Sequence, residues 1–186
     1  ATVEARLEPA AEALLENLAA CGSDPDQAWC ATTDAENEGL KAFRHALPEA
    51  VNQRIGERAA RFPGLTKLGT DFAVPDPALP DMMAAYHAVL EPSGLEHVIF
   101  GHIGNSHVHV NILPRNLEDH VRGKELYLEL ARSALNLGGT VSGELKKPML
   151  RLMLGDQGLA AMRQVKRVFD PDHRLNPGNL FDLSPT

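Results

Sequence analysis

Cysteine is scarce: the 186 residues contain two, Cys21 and Cys30. Their spacing fits neither a metal-binding pair nor a disulfide framework, so a reducing cytosol is the default compartment. Basic residues are the minority, 18 against 25 acidic, for a formal net charge of -7. That balance argues against a nucleic-acid surface and a basic membrane-binding face. No apolar run approaches the ~20 residues that a bilayer-crossing helix needs. No charged-then-apolar secretory pattern opens the chain. Repeats and low-complexity linkers are absent, as are a GxGxxG turn and a P-loop, so phosphate binding by this stretch alone has no support. What is present is the balance of a globular domain, 44% hydrophobic and 23% charged, on a chain long enough to bury a core. Lys146 and Lys147, with Arg151 nearby, are the one tight basic group. A solvated helix end and an anion site both account for it.

The alternation in residues 2–7 predicts a short strand. A chain that opens inside a strand and without Met reads as a piece of a longer protein, tag removal being the other reading. Residues 9–20 predict a helix with Pro9 in its first turn, ending near Cys21. After the turn Gly22-Ser23-Asp24-Pro25, residues 27–32 read as a strand that holds Trp29 and Cys30. Residues 37–61 are helical, with Pro48 a place to divide them, and Pro63-Gly64 ends the run. An extended stretch at 65–74 closes at Pro75, and a helix follows at 77–90. Strands at 97–101 and 107–113 flank a turn at Gly104-Asn105-Ser106. A long amphipathic helix at 117–137 stops at Gly138-Gly139, before a short strand at 140–142 and a helix at 149–169. Short, paired strands among helices predict an α+β fold, an antiparallel sheet covered by helices. Residues 1–145 form that domain, and 146–186 a C-terminal helical segment and tail.

The densest chemical signal is FGHIGNSHVHVNI, residues 100–112, with three of the chain's 8 histidines. On a strand, His107, His109 and Asn111 share one face, while Val108, Val110 and Ile112 face the core. His102 lies across the turn and can fold back onto the polar face. A wall of imidazoles suits Zn, Mn or Fe. A polar strand face hydrogen-bonded to neighbouring loops accounts for the same pattern. A carboxylate would tip the balance toward a metal, and Glu144 in GGTVSGE, on a glycine-flanked turn, is the candidate.

GHIGNSHVHVNI resembles the GHxGDGNxHxN segment of FAD-linked oxidases of the vanillyl-alcohol oxidase superfamily, C-terminal domain type. GGTVSGE resembles their GGTxxGEHGxG, TDFAVP their DxxVP strand, and FDPDHRLNPGNLF their closing FDPxxxLNPGKxF, in the same order. The resemblance implies a ferredoxin-like cap domain whose FAD-binding domain lies N-terminal to this chain. It implies a divalent metal on His102, His109 and Glu144, as in the D-lactate and D-2-hydroxyglutarate dehydrogenase branch. It implies Asn111 as a substrate contact. Arg44, in LKAFRHALPEAV, resembles an arginine that forks onto the substrate carboxylate. The tryptophan of that helix motif is Lys41 here, and a surface arginine is the other reading. Lys67 resembles a second anion-binding lysine. Pro48 stands where a relative carries a substrate-binding threonine, which argues against strict 2-hydroxyglutarate specificity. Asn176, in LNPG, resembles a position on the tail that returns toward the flavin, and a plain turn is its other reading.

Two departures stand out. Asn105, Ser106 and His107 replace Asp, Gly and Asn of the GDGN segment. The Asp could have oriented a ligand histidine, and His107 reads as an extra ligand, a proton relay or, the preferred reading, a spectator. After Glu144 the chain runs directly to Leu145-Lys146-Lys147-Pro148. The histidine that takes the hydroxyl proton in the family is absent from that place, so the catalytic base is unknown. Either it is deleted, or a glycine-rich loop of the protein lies outside these 186 residues.

The resemblance therefore implies the substrate half of an FAD-dependent oxidoreductase acting on a D-2-hydroxy acid. A quinone, cytochrome or electron-transfer protein would accept the electrons. The fragment alone is expected to be inactive, cytoplasmic, and membrane-associated only through partners; a homodimer is left open. A binding or scaffold domain that kept the fold and lost the chemistry is the alternative. A zinc hydrolase built on His102, His109 and Glu144 ranks last, for want of a separate base.

Overall fold

Helical spacing prevails at the start of the chain. The structure, a computed structural model, describes residues 4–143, 146–180 and 182, and divides into two units, Ala1–Glu49 and Ala50–Thr186. In the first unit, α1 spans Glu4–Ala20, so the strand expected at 2–7 is helical wherever it is described. Leu7, Ala11, Leu14 and Leu18 carry a helical period back through it, and six alternating residues are too few to outweigh that period. Pro9 accordingly lies inside the helix and not in its first turn. The strand expected at 27–32 also fails to form. Pro25–Gln27 is a 3-10 turn capped by the Asp24 carboxylate, which accepts from the Asp26 N–H at 3.0 Å. Residues 28–32 have no regular structure. A strand needs a partner, and every strand among the described residues belongs to the second unit. Trp29 instead packs edge-on against Phe43, ring centroids 5.5 Å apart. Both cysteines are free and exposed.

The helix α2 runs unbroken over Asp34–Ala59, with Pro48 inside it. Its start is a capping box: the Glu36 N–H donates to Thr33 Oγ1 (3.3 Å), and the Thr33 N–H donates to Glu36 Oε2 (3.0 Å). The two units part at Glu49 and Ala50, next to Pro48.

The second unit holds β1 (Leu68–Ala73), α3 (Leu79–Leu90), β2 (His97–His102), β3 (His107–Ile112), α4 (Leu117–Asn136), β4 (Thr140–Gly143) and α5 (Lys146–Phe169). The sheet is antiparallel in the order β2-β3-β1-β4. With two βαβ halves interleaved so that β1 and β3 are central, this is a ferredoxin-like α+β sandwich. The helices α3 and α4 cover one face. Leu68 and Phe72 of β1, Val110 and Ile112 of β3, Tyr86 of α3 and Tyr127 of α4 lie almost wholly buried there. Burial pushes the Tyr86 phenol up to about 12. The Tyr127 hydroxyl lies 3.2 Å from Gly69 O and 3.0 Å from Ser142 O, tying β1 to β4. Gly139 lets the turn after α4 press onto β1: a Cβ there would stand 2.4 Å from Ala73 O. The other face carries a smaller apolar layer, Val51 and Ile55 of α2 with Leu65, Leu113, Val98 and Phe100.

The helix α5 kinks at Gly155 (φ 62°, ψ -177°). Asp170 then organises the turn that follows it. Lys166 donates to its carboxylate, as do the N–H groups of Arg174 (2.9 Å) and Leu175 (3.0 Å). The Lys166 bond first, then the Leu175 N–H, hold the Asp170 carboxyl at about 2, below its ordinary 3.8. A depressed carboxyl stabilises the fold above its unfolded pKa and stops doing so as pH falls through the folded one. Asp170→Asn is therefore expected to lower the melting temperature at pH 7. The gap to wild type should narrow below pH ~4 and close only below pH ~2. Paired thermal melts across that range test this, and a gap that ignores pH would exclude it.

Candidate metal centre

Strand parity sorts the side chains of β1. Leu68, Thr70 and Phe72 point into the α3–α4 core, which sends Asp71 to the outer face. On β3, Val108, Val110 and Ile112 are buried in that same core, and His107, His109 and Asn111 take the outer face as the alternation predicts. Since β1 and β3 are hydrogen-bonded neighbours, the carboxylate lands beside the imidazoles. Asp71 Oδ1 accepts from His107 Nε2 at 2.6 Å and lies 3.7 Å from His109 Nδ1. His109 Nδ1 is 3.1 Å from Thr70 O, whose own hydroxyl accepts from the Val110 N–H at 2.9 Å. Donation of Nδ1–H to that carbonyl leaves Nε2 of His109 with its lone pair.

Asp71, His107 and His109 each offer a donor atom within 4.8 Å of the other two. His102 closes β2 directly opposite His107, on the same face. Its ring centroid is 6.1 Å from that of His107 and 5.7 Å from that of His109, against 4.6 Å between the latter two. Two backbone features set this spacing. Gly101 (φ 154°) lets β2 approach β3 where no side chain would fit. Ser106 is left-handed (φ 52°), the conformation that the glycine of the GDGN motif tolerates; its Oγ donates to Asp76 Oδ1 at 2.7 Å, which offsets the strain.

Asn111 is buried two residues beyond His109, between Gly69 and Val98. Lys67 is half-buried just before β1, and its position shares Asp71's parity. Arg44 is exposed on the part of α2 that belongs to the first unit. Asn176 is exposed in the tail, left-handed at φ 44°. Glu144 falls outside the described residues. The site thus joins His109 to His107, which the sequence placed on the same imidazole face, and to Asp71, for which the sequence suggested no role. Alternation across 65–74 could have put Asp71 on a polar face, but its β3 neighbours depend on a long-range pairing that no local pattern specifies. Two imidazoles and one carboxylate make a donor set that fits a divalent cation such as Zn, Mn or Fe. Among the described residues, no helix is long and apolar enough to cross a membrane.

The glycolate oxidase subunit GlcD of Bacillus subtilis is 29% identical over 174 residues, covering 90% of this chain and 36% of that protein. A probable mitochondrial D-lactate dehydrogenase of Danio rerio is 30% identical over 168 residues, 87% of this chain and 32% of that protein. A D-2-hydroxyglutarate dehydrogenase of Xanthomonas citri is 29% identical over 181 residues, 89% of this chain and 36% of that protein. The chain thus spans about a third of the length of these curated relatives. Residues 1–180 match the family described as FAD linked oxidases, C-terminal domain, and the chain belongs to that family.

Proposed function

We propose that this chain is the substrate-binding half of an FAD-dependent oxidoreductase that oxidises a D-2-hydroxy acid of the lactate or glycolate kind. The observation that carries the reading is the imidazole–carboxylate cluster on the two central strands of a family domain whose relatives are named for hydroxy-acid oxidation. In this reading His109 holds a divalent metal, with His102 and Glu144 as the further ligands that the resemblance implies. Such a metal would bind the hydroxyl and carboxylate oxygens of the substrate and acidify the hydroxyl. Arg44 and Lys67 anchor the carboxylate, Asn111 contacts the substrate, and the Asn176 turn faces the flavin. A bound flavin would supply the acceptor for the hydride at C2, and a base would take the hydroxyl proton. A quinone, cytochrome or electron-transfer protein would accept the electrons. FAD is bound mainly by a further domain, so this chain alone is inactive. One observation favours a second reading, a non-catalytic binding domain: Leu145, not a histidine, directly follows Glu144.

The test is anaerobic flavin bleaching by the whole protein that carries this chain, mixed with D-lactate, glycolate, D-2-hydroxyglutarate and their L-counterparts. A D-2-hydroxy acid should bleach the flavin, and His109→Ala should slow this roughly 100-fold. A flavin-loaded protein that no 2-hydroxy acid reduces would decide for the non-catalytic domain.

A further inference from the structure

We propose that the arginine-lined cavity between the end of α2 and the open end of the β2–β3 hairpin binds a phosphate ligand carrying at least two negative charges, such as a pyrophosphate group. The cavity has a volume of about 350 Å³, within the range of small-molecule sites, and Arg54, Glu57, Arg58, Arg61, Phe62 and Arg115 line it. All six belong to the second unit. His102 and His107 pair at the turn of the hairpin, and the Leu113 N–H donates to Glu96 O at its open end (2.8 Å). Six residues of strand, ~20 Å, therefore separate this end from His107.

Helical spacing assembles the wall. Arg54, Arg58 and Arg61 recur at i, i+4 and i+7, on one face of α2 and of the turn that continues it. Arg58 is framework. Its guanidinium donates to Leu113 O (2.7 Å), to Pro114 O (3.2 Å) and to the Glu96 carboxylate, and its side chain is only 17% exposed. Arg54 Nε pairs with the same carboxylate at 2.6 Å, which holds that side chain and leaves its two terminal nitrogens uncommitted. Arg115, just after β3, is tied through Nε to Asp119 (2.7 Å) and through one terminal nitrogen to Gly94 O (3.3 Å), which leaves the other. Arg61 is exposed, and its guanidinium has no hydrogen-bond or ion-pair partner among the described residues.

Guanidiniums held in place with N–H groups to spare are what an anion site requires. Four arginines meet three carboxylates, those of Glu57, Glu96 and Asp119, so positive charge collects here on a chain of formal net charge -7. Glu57 itself accepts from Gln53 (3.3 Å) and pairs with none of the arginines. Phe62, packed against Val51, Ile55, Leu65 and Leu113, lays an apolar floor where charges are screened less than in open water. The spare donors come from three side chains on two different segments. A tetrahedral phosphate turns its oxygens in several directions and can meet them all, whereas a carboxylate presents two oxygens in one plane. A guanidinium site of this kind needs neither a GxGxxG turn nor a P-loop, so the absence of those motifs has no bearing on it.

Calorimetric titration of pyrophosphate into the whole protein that carries this chain tests this. The protein is flavin-loaded and EDTA-stripped, so that neither an empty flavin site nor a metal offers the anion another place. Citrate, a polyanion without phosphorus, is titrated in parallel. At physiological ionic strength pyrophosphate should bind saturably, and at least ~10-fold more tightly than citrate. Arg61→Gln and Arg54→Gln should each weaken it roughly 10-fold. Arg132→Gln, which removes the same charge from an exposed position on α4, should bind as wild type, and so should Arg44→Gln and Lys67→Gln. Arg61 has no partner to lose, so its replacement leaves the fold intact, and thermal melts check this for every variant. The proposal is overturned if pyrophosphate does not saturate, or if Arg132→Gln weakens it as much as Arg61→Gln does. It is overturned equally if Arg44→Gln or Lys67→Gln weakens binding while Arg54→Gln and Arg61→Gln do not, or if citrate binds as tightly as pyrophosphate.

Discussion

Gly101→Ala is expected to destabilise the protein by about 2–4 kcal/mol and to open the β2–β3 hairpin at the histidines, whereas Gly104→Ala, three residues on, is near neutral. A Cβ on Gly101 would stand 2.7 Å from His107 O and 2.8 Å from both Val108 Cα and His109 N. All three are backbone atoms, so no side-chain rotation relieves the overlap and one strand must move. The φ of 154° adds a second cost, because a side chain rarely adopts it. At Gly104 nothing lies within 4 Å of the added carbon. For a chain of this length the Gly101 change lowers the melting temperature by roughly 10 °C. The shift of β2 also pulls His107 and His109 off their present spacing, so Zn²⁺ affinity should fall with stability. Equal melting temperatures for the two variants would mean that the strands do not approach as closely as the structure has them.

The hairpin was legible in the sequence because two rules coincide there. Val108, Val110 and Ile112 alternate with His107, His109 and Asn111, and one face of the strand is buried, so a slip of one residue would reverse every side chain. The order of strands and helices likewise pointed to an α+β sandwich. Alternation alone was less reliable. Residues 2–7 and 27–32 show it, yet the first joins a helix and the second finds no strand to pair with. Both lie in the first unit, and every strand among the described residues belongs to the second. The capping box at Thr33 and Glu36 was readable and explains why α2 begins three residues before the expected start at 37. Asp71 shows the limit most clearly. Its residue type and parity are local facts, but its contact with His107 spans 36 positions, and only the β1–β3 pairing brings the two together.

Parity also makes neighbours behave in opposite ways, and Phe72→Ala against Asp71→Asn shows how far. Phe72 is 1% exposed and packs edge-on against Tyr127 with ring centroids 5.3 Å apart. Truncation to alanine removes that contact and leaves a cavity under α4, at an expected cost of about 3–5 kcal/mol. Part of the loss comes through Tyr127, whose hydroxyl bridges β1 and β4 and whose ring loses its support. Asp71, one residue earlier, faces outward with its side chain 43% exposed, so Asp71→Asn should change stability by no more than ~1 kcal/mol. Metal affinity should show the reverse order. Below its lowered melting temperature, folded Phe72→Ala keeps the outer face of β1 and binds Zn²⁺ nearly as the wild type does, while Asp71→Asn removes the carboxylate charge beside His107 and His109 and binds more weakly. Urea midpoints and Zn²⁺ titrations of the two variants at 25 °C give four numbers. A common shift in the urea midpoint would show that residues 71 and 72 do not lie on opposite faces of β1, and the candidate site, which depends on that parity, would go with it.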